Sequence, residues 1–123
     1  MRVGLIGFRD AGFEAELAGR GARLELQPRS GLDLLVYFAP DGTSLLALGE
    51  LAQLIQDAGA IWVVRVKGPG LKVREVDIIE AGKAAGLIDN KIASFSDAYA
   101  AMRLVVPLKR RGKRGGPSGA TIS

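Results

Sequence analysis

Two runs, Asp33–Ala39 (DLLVYFA) and Ala60–Val66 (AIWVVRV), constrain the fold more than any other feature of this chain. Both are almost continuous in apolar residues, many of them β-branched or aromatic. A strand with one wet face alternates apolar and polar residues. A run without alternation suits a strand covered on both faces, as in a parallel sheet. Between the two runs, Thr43–Ala58 repeats Leu45, Leu48, Ala52 and Ile55 at helical spacing, and Leu51 and Leu54 widen the stripe. Glu50, Gln53 and Asp57 mark the wet face, and Gly59 is placed to cap the helix end. A strand, a helix and a second buried strand imply a right-handed crossover within one sheet.

The flanking segments extend this pattern. Arg2–Phe8 reads as a first strand, and Phe13–Gly19 as a short helix with Asp10 as its N-cap. Ala22–Gln27 alternates Leu24 and Leu26 with charged residues and ends at Pro28, so it reads as a half-buried strand. A helix is predicted over Glu75–Ala85. Its start can slip by two residues if Asp77 and Glu80 form a capping box, and Gly86 stops it. Lys91–Phe95 and Met102–Val106 then form a closing hairpin. The expected fold is α/β: three-layer, Rossmann-like, with a mainly parallel six-stranded sheet in the order 2-1-3-4-6-5. The C-terminal hairpin supplies its antiparallel strand.

Charge is segregated. Of 17 basic and 13 acidic residues, five bases and no acid fall within 109–123, so that stretch carries +5 and residues 1–108 carry −1. The expected organisation is a folded domain over 1–108 and a basic tail over 109–123. The tail is rich in Gly, Lys and Arg and is expected to be disordered. Lys109, Arg110, Arg111, Lys113 and Arg114 would engage RNA, DNA or another anionic surface, with RNA favoured. The tail has no aromatic residue, so base stacking is not expected of it.

Composition removes several chemistries. The chain has no Cys and no His. That excludes thiolate catalysis and disulfides, and it removes the commonest general base and metal ligand. No run approaches the roughly 20 apolar residues of a bilayer span, and the first strand follows the initiating Met directly. A cytoplasmic location is the expectation, with no metal.

From Gly59 onward the chain resembles the bacterial domain of unknown function 3052 family. The residues that carry the resemblance are Gly59-Ala60-Ile61-Trp62-Val63, the basic Lys67, Gly86-Leu87-Ile88-Asp89 with Lys91-Ile92, and Ala101-Met102-Arg103-Leu104-Val105. Gly4-Leu5-Ile6 and Gly12-Phe13-Glu14 resemble the family's first strand and helix. The likeness spans about residues 3–107. The chain departs from it at Arg65 and Val66, where the family has Trp-Pro, and over Ser96–Ala101, where the family's turn carries a Trp-Ser-Gly. The topology also looks like a shortened class I methyltransferase.

Ligands of open α/β sheets sit outside the carboxyl ends of the strands, where strand order reverses. Here that is the crevice between strands one and three. Its expected rim is Gly7, Phe8, Arg9, Asp10 and Gly12 facing Pro40, Asp41 and Gly42, with Lys67 close by. Gly7 and Gly12 would let a phosphate approach the backbone, and Arg9 could pair with it. The spacing of Gly4, Gly7 and Gly12 is neither a dinucleotide fingerprint nor a Walker loop. At the expected end of strand two stand Gln27 and Arg29, not an acid to hold a ribose. Ser94, Ser96 and Asp97, with Lys67 or Lys91 as base, form no recognisable catalytic set, and turn chemistry accounts for them. Trp62 and Tyr99 could stack on a base.

The leading expectation is therefore a non-catalytic binding or accessory module with no cofactor and a polyanion-binding tail. The alternative is a nucleotide- or S-adenosylmethionine-binding protein with a degenerate crevice, even a methyltransferase-like enzyme. A homo-oligomer formed through the edge strand Ala22–Gln27 is a further expectation.

Overall fold

A computed structural model describes residues 1–68, 70 and 72–112. Its elements run in the order β1 (Arg2–Ile6), α1 (Ala11–Gly19), β2 (Arg23–Glu25), β3 (Leu32–Phe38), α2 (Leu48–Leu51), β4 (Ile55–Val66), α3 (Glu75–Ala84), β5 (Ile88–Ser94) and β6 (Tyr99–Val105). The six strands form one sheet in the order β2-β1-β3-β4-β6-β5. β1 pairs in parallel with β2 and β3, and β3 with β4. β6 is antiparallel to both β4 and β5. This is the expected order, and it includes the reversed C-terminal hairpin.

The crossovers divide the helices between the two faces. The step from β1 to β2 runs one way along the sheet, and the steps from β3 to β4 and beyond run the other. One face carries α2 and α3 over a core of Leu35, Leu48, Ile61, Ile78, Met102 and Leu104. The opposite face carries α1 alone, over Val3, Leu5, Leu17, Val36 and Val64. Right-handed connections produce this division.

The segment expected to be one helix over Thr43–Ala58 is broken. It is a 3₁₀ turn at Thr43–Ala47, a single α turn at Leu48–Leu51 and a second 3₁₀ turn at Ala52–Leu54. The reason is length. The segment must return along β3, whose seven residues span about 23 Å. Twelve α-helical residues would reach about 18 Å. At about 2.0 Å per residue in the 3₁₀ turns, the same chain reaches about 22 Å. Leu45, Leu48 and Ala52 are still buried as their spacing predicted.

Ile55 then turns extended (φ −94°, ψ 148°) and begins β4 five residues earlier than expected. The register of β4 against β3 jumps from Leu32↔Ile55 to Leu34↔Ala60. Gly59 therefore lies within a bulged strand and caps no helix. A Cβ there would stand 2.9 Å from the Leu32 carbonyl oxygen and 3.0 Å from that of Asp33.

The remaining boundaries move by a few residues. β2 is shorter than expected, ending at Glu25. α3 starts at Glu75, where the Asp77 carboxylate accepts the Arg74 backbone N–H at 2.9 Å, so Asp77 closes this helix start and does not begin a later one. Gly86 ends α3 with φ +83°, the left-handed conformation glycine tolerates. The tail differs from expectation at its beginning. Leu108–Arg110 form a 3₁₀ turn, the Arg110 guanidinium lies against Gly86, and the Arg111 Nε–H donates to the Val106 carbonyl at 3.0 Å. The Gly112 N–H donates to the Asp57 carboxylate. Lys113 and Arg114 lie outside the described residues. β2 and β5 are the two edges of the sheet. Among the described residues no helix is long and apolar enough to cross a membrane.

Candidate ligand crevice

The chain leaves β1 through Gly7, whose φ of +74° turns it sharply towards α1. The Asp10 carboxylate caps α1 by accepting the Phe13 N–H at 2.7 Å. Glu14, in the first turn of the helix, accepts the Asp10 N–H at 2.9 Å. Its negative charge also suits the helix N-terminus. Glu14 further binds the Arg9 guanidinium, with Nε 3.1 Å from both carboxylate oxygens and Nη2 2.8 Å from Oε1. The Gly7–Asp10 loop is thus braced at its α1 end by the Asp10 and Glu14 carboxylates.

Above this loop lies a polar cavity of about 150 Å³, lined by Gly7, Phe8, Arg9, Asp10, Phe38 and Tyr99. It stands at the carboxyl ends of β1 and β3, where the strand order reverses. Phe8 is buried beneath it and meets Tyr99 edge-on at 5.4 Å and Phe95 at 5.3 Å. Tyr99 also meets Phe38 edge-on at 6.0 Å. Such tilted aromatic pairs are favourable and rigid. The hairpin therefore supplies one wall of the crevice.

Of the expected rim, the structure brings together Gly7, Phe8, Arg9 and Asp10. Gly12 lies inside α1 and does not line the cavity. Pro40, Asp41 and Gly42 do not line it either. Asp41 accepts the Ser44 N–H at 3.0 Å and the Ser44 hydroxyl at 2.9 Å, which holds its carboxyl below the usual range. Asp41 thus builds the turn after β3. Lys67 is turned to the hairpin, where its Nζ donates to Ser94 Oγ at 2.5 Å and to the Ser96 carbonyl at 2.7 Å. Ser96 Oγ accepts the Ala98 and Tyr99 N–H groups at 3.2 Å, which is turn chemistry. Arg9 lines the cavity, but Glu14 already engages its guanidinium.

Phe38 was not marked by the sequence as a site residue, because within DLLVYFA it is indistinguishable from a core position. Glu25 was missed for a different reason. The alternation over Ala22–Gln27 carried the expected strand two residues too far, and Glu25 is in fact the last residue of β2. It lies level with Gly4, three residues below Gly7 in register. Arg2 holds it through Nε at 2.6 Å and Nη2 at 2.9 Å. Among the described residues no three carboxylates gather to hold a metal ion.

These ion pairs set the acid response. The hydrogen bond from Arg9 holds Glu14 below the usual range, Arg2 does the same for Glu25, and Arg74 for Asp77. A carboxylate with a lowered folded pKa contributes its stability above the unfolded pKa and loses it as pH falls through the folded one. Melting temperature should therefore fall as pH drops below about 5. Arg2→Gln should flatten part of that slope. An unchanged slope in Arg2→Gln, measured by circular dichroism melts from neutral to acid pH, would contradict the Glu25 assignment.

No protein-family model matches the sequence, and no curated protein matches it. Solved structures do share its fold. The magnesium protoporphyrin IX methyltransferase of Synechocystis PCC 6803, with bound S-adenosylmethionine, superimposes with a TM-score of 0.65 at 13% identity, covering 85% of this chain and 69% of that one. A S-adenosylmethionine-dependent methyltransferase of Aquifex aeolicus gives 0.57 at 14% identity, covering 86% and 82%. An O-methyltransferase of neocarzinostatin biosynthesis, in complex with S-adenosyl-L-homocysteine, gives 0.60 at 11% identity. The present chain covers 49% of that enzyme, about half its length. The fold is thus a methyltransferase-like Rossmann sheet.

Proposed function

We propose that this chain is a small methyltransferase-fold domain that binds S-adenosylmethionine or a related nucleoside ligand in the Gly7–Asp10 crevice. The observation that carries the reading is the polar cavity at the point where strand order reverses, in a sheet shared with S-adenosylmethionine-dependent enzymes. The residues fit part of such a ligand. Gly7 lets the loop backbone approach it closely, Asp10 offers a carboxylate for an ammonium or a hydroxyl, and Phe38 and Tyr99 offer ring edges and faces. Arg2 already occupies Glu25, so the ribose grip that an acid at this strand end would supply is absent. When bound, S-adenosylmethionine supplies an electrophilic methyl group. What the residues of this chain supply is a site that binds and orients.

A thermal-shift series with S-adenosylmethionine, S-adenosylhomocysteine, ATP and GTP tests the reading. A ligand at about a hundred times its Kd stabilises by about 2.7 kcal/mol. For a domain of this size that is a rise of roughly 10 °C. No shift with any of the four at millimolar concentration would sink the proposal.

A second reading concerns the basic stretch from Lys109. Lys109 and Arg110 stand exposed on their 3₁₀ turn. That favours contact with a polyanion such as RNA. If all five charges of 109–114 meet phosphates, log Kd should vary with log salt with a slope of about 3.5 to 4.5. Binding of a fluorescent single-stranded RNA, measured across a salt series, checks it. A full chain that fails to bind at low salt would remove this reading and leave the crevice untouched.

A further inference from the structure

The sheet face that carries α1 is only half covered. α2 and α3 both pack on the other side, so among the described residues no helix lies over β6 and β5 on the α1 side. Val64 and Ala101 are buried there in a cluster with Phe8, Phe95 and Tyr99, while Trp62 and Arg103 are half-buried and Lys91 is exposed. A groove of about 220 Å³ opens there. It is lined by Phe13, Leu17, Leu34, Trp62, Ala93, Ser94 and Phe95, Ser94 being the one polar residue among them. It is separate from the crevice. The Phe8–Phe95 ring pair, at 5.3 Å, and the Phe13–Phe95 pair, at 4.9 Å, stand between the two.

The charges beside the groove have a distinct arrangement. Trp62 lies directly opposite Arg103 in the β4–β6 register, and Arg103 lies opposite Lys91 in the β6–β5 register. Directly opposed residues share a face of the sheet, so Trp62, Arg103 and Lys91 form one row. Like charges placed opposite each other destabilise a sheet. Arg103 donates to the neutral Asn90 Oδ1 at 3.1 Å. Among the described residues neither Arg103 nor Lys91 makes a salt bridge to a carboxylate. The row therefore runs from an apolar floor to two cations whose mutual repulsion an external anion would relieve.

We infer that this groove binds a small amphiphilic anion, an apolar body carrying one carboxylate. The body lies along Trp62 and Leu34 between α1 and the hairpin, and the carboxylate lies at Arg103 and Lys91. The volume suits a short acyl chain or one to two rings and is too small for a protein segment of many residues. The inference does not depend on the crevice reading.

Trp62 is the sole tryptophan of the chain, so its emission reports the groove directly. The probe is octanoate, with octanol as the uncharged control. Octanoate should change Trp62 emission saturably in the millimolar range and bind more tightly than octanol. Lys91→Gln and Arg103→Gln, both on the open face, should each weaken octanoate about fivefold, the scale of one partly exposed ion pair. Neither should alter octanol binding, and far-ultraviolet circular dichroism would confirm that both variants fold. Equal affinity for octanoate and octanol, or an unchanged octanoate affinity in Lys91→Gln and Arg103→Gln, would overturn the proposal. So would concentration-dependent dimerisation that shields Trp62 and blocks octanoate, since the groove would then serve a second copy of the chain.

Discussion

Gly59→Ala is expected to destabilise the fold by about 2–3 kcal/mol, the range of an overpacked interior site. A Cβ at position 59 would meet three backbone carbonyl oxygens, those of Leu32 at 2.9 Å, Asp33 at 3.0 Å and Gln56 at 3.1 Å. Backbone of this kind cannot swing aside as the end of a side chain can. The register jump between β3 and β4 places Gly59 against these carbonyls, and Gln56 Nε2 secures the same bulge by donating to the Gly31 carbonyl at 2.9 Å. The expected fall in Tm is roughly 10 °C. A loss of about 1 kcal/mol or less in urea unfolding would fit a helix-capping glycine instead. That result would contradict the bulged strand.

Gly59 also shows where a sequence misleads. The pattern Leu45, Leu48, Ala52, Ile55 has a helical period, and a glycine follows it at the distance of a cap. The burial was legible, since Leu45, Leu48, Ala52 and Ile55 are all buried. The conformation was not, because it depends on how far the segment must travel beside β3. That distance is a property of the assembled sheet. The runs DLLVYFA and AIWVVRV, by contrast, carry their own evidence. Both form central strands, and the sheet order and closing hairpin follow from right-handed connection and from the apolar runs Lys91–Phe95 and Met102–Val106.

The crevice was legible in the same uneven way. Gly7 to Asp10 lie where a strand gives way to a helix, and the rule for ligand position in open sheets points there directly. Phe38 and Tyr99 join them only through the packing of the hairpin over the strand ends. Asp41 and Lys67 lie near in the chain's layout, but their hydrogen bonds serve local turns. Local hydrogen bonding of short polar side chains competes with any site role, and the sequence alone does not show which prevails.

Gly7→Val is the second substitution with a large expected effect. At φ +74° a β-branched residue is strained by about 1–3 kcal/mol. Space is not the obstacle, since a Cβ would stand 3.5 Å from the Cβ of Phe38, an ordinary contact. The strain would instead pull the Gly7–Asp10 loop out of its conformation and close the approach to its backbone. Gly7→Val should therefore abolish the thermal stabilisation by S-adenosylmethionine. Gly7→Asn, a residue that tolerates left-handed φ, should keep most of the fold's stability and part of the ligand response. If both variants respond to ligand as the parent does, the loop is not the site.

Backbone amide chemical shifts recorded during titration with S-adenosylmethionine locate a site without any substitution. If the crevice holds the ligand, the largest changes fall on Gly7, Phe8, Arg9, Asp10, Phe38 and Tyr99 and saturate together. A saturating set of shifts confined to other residues, or no shifts at millimolar ligand, would contradict the crevice as the binding site.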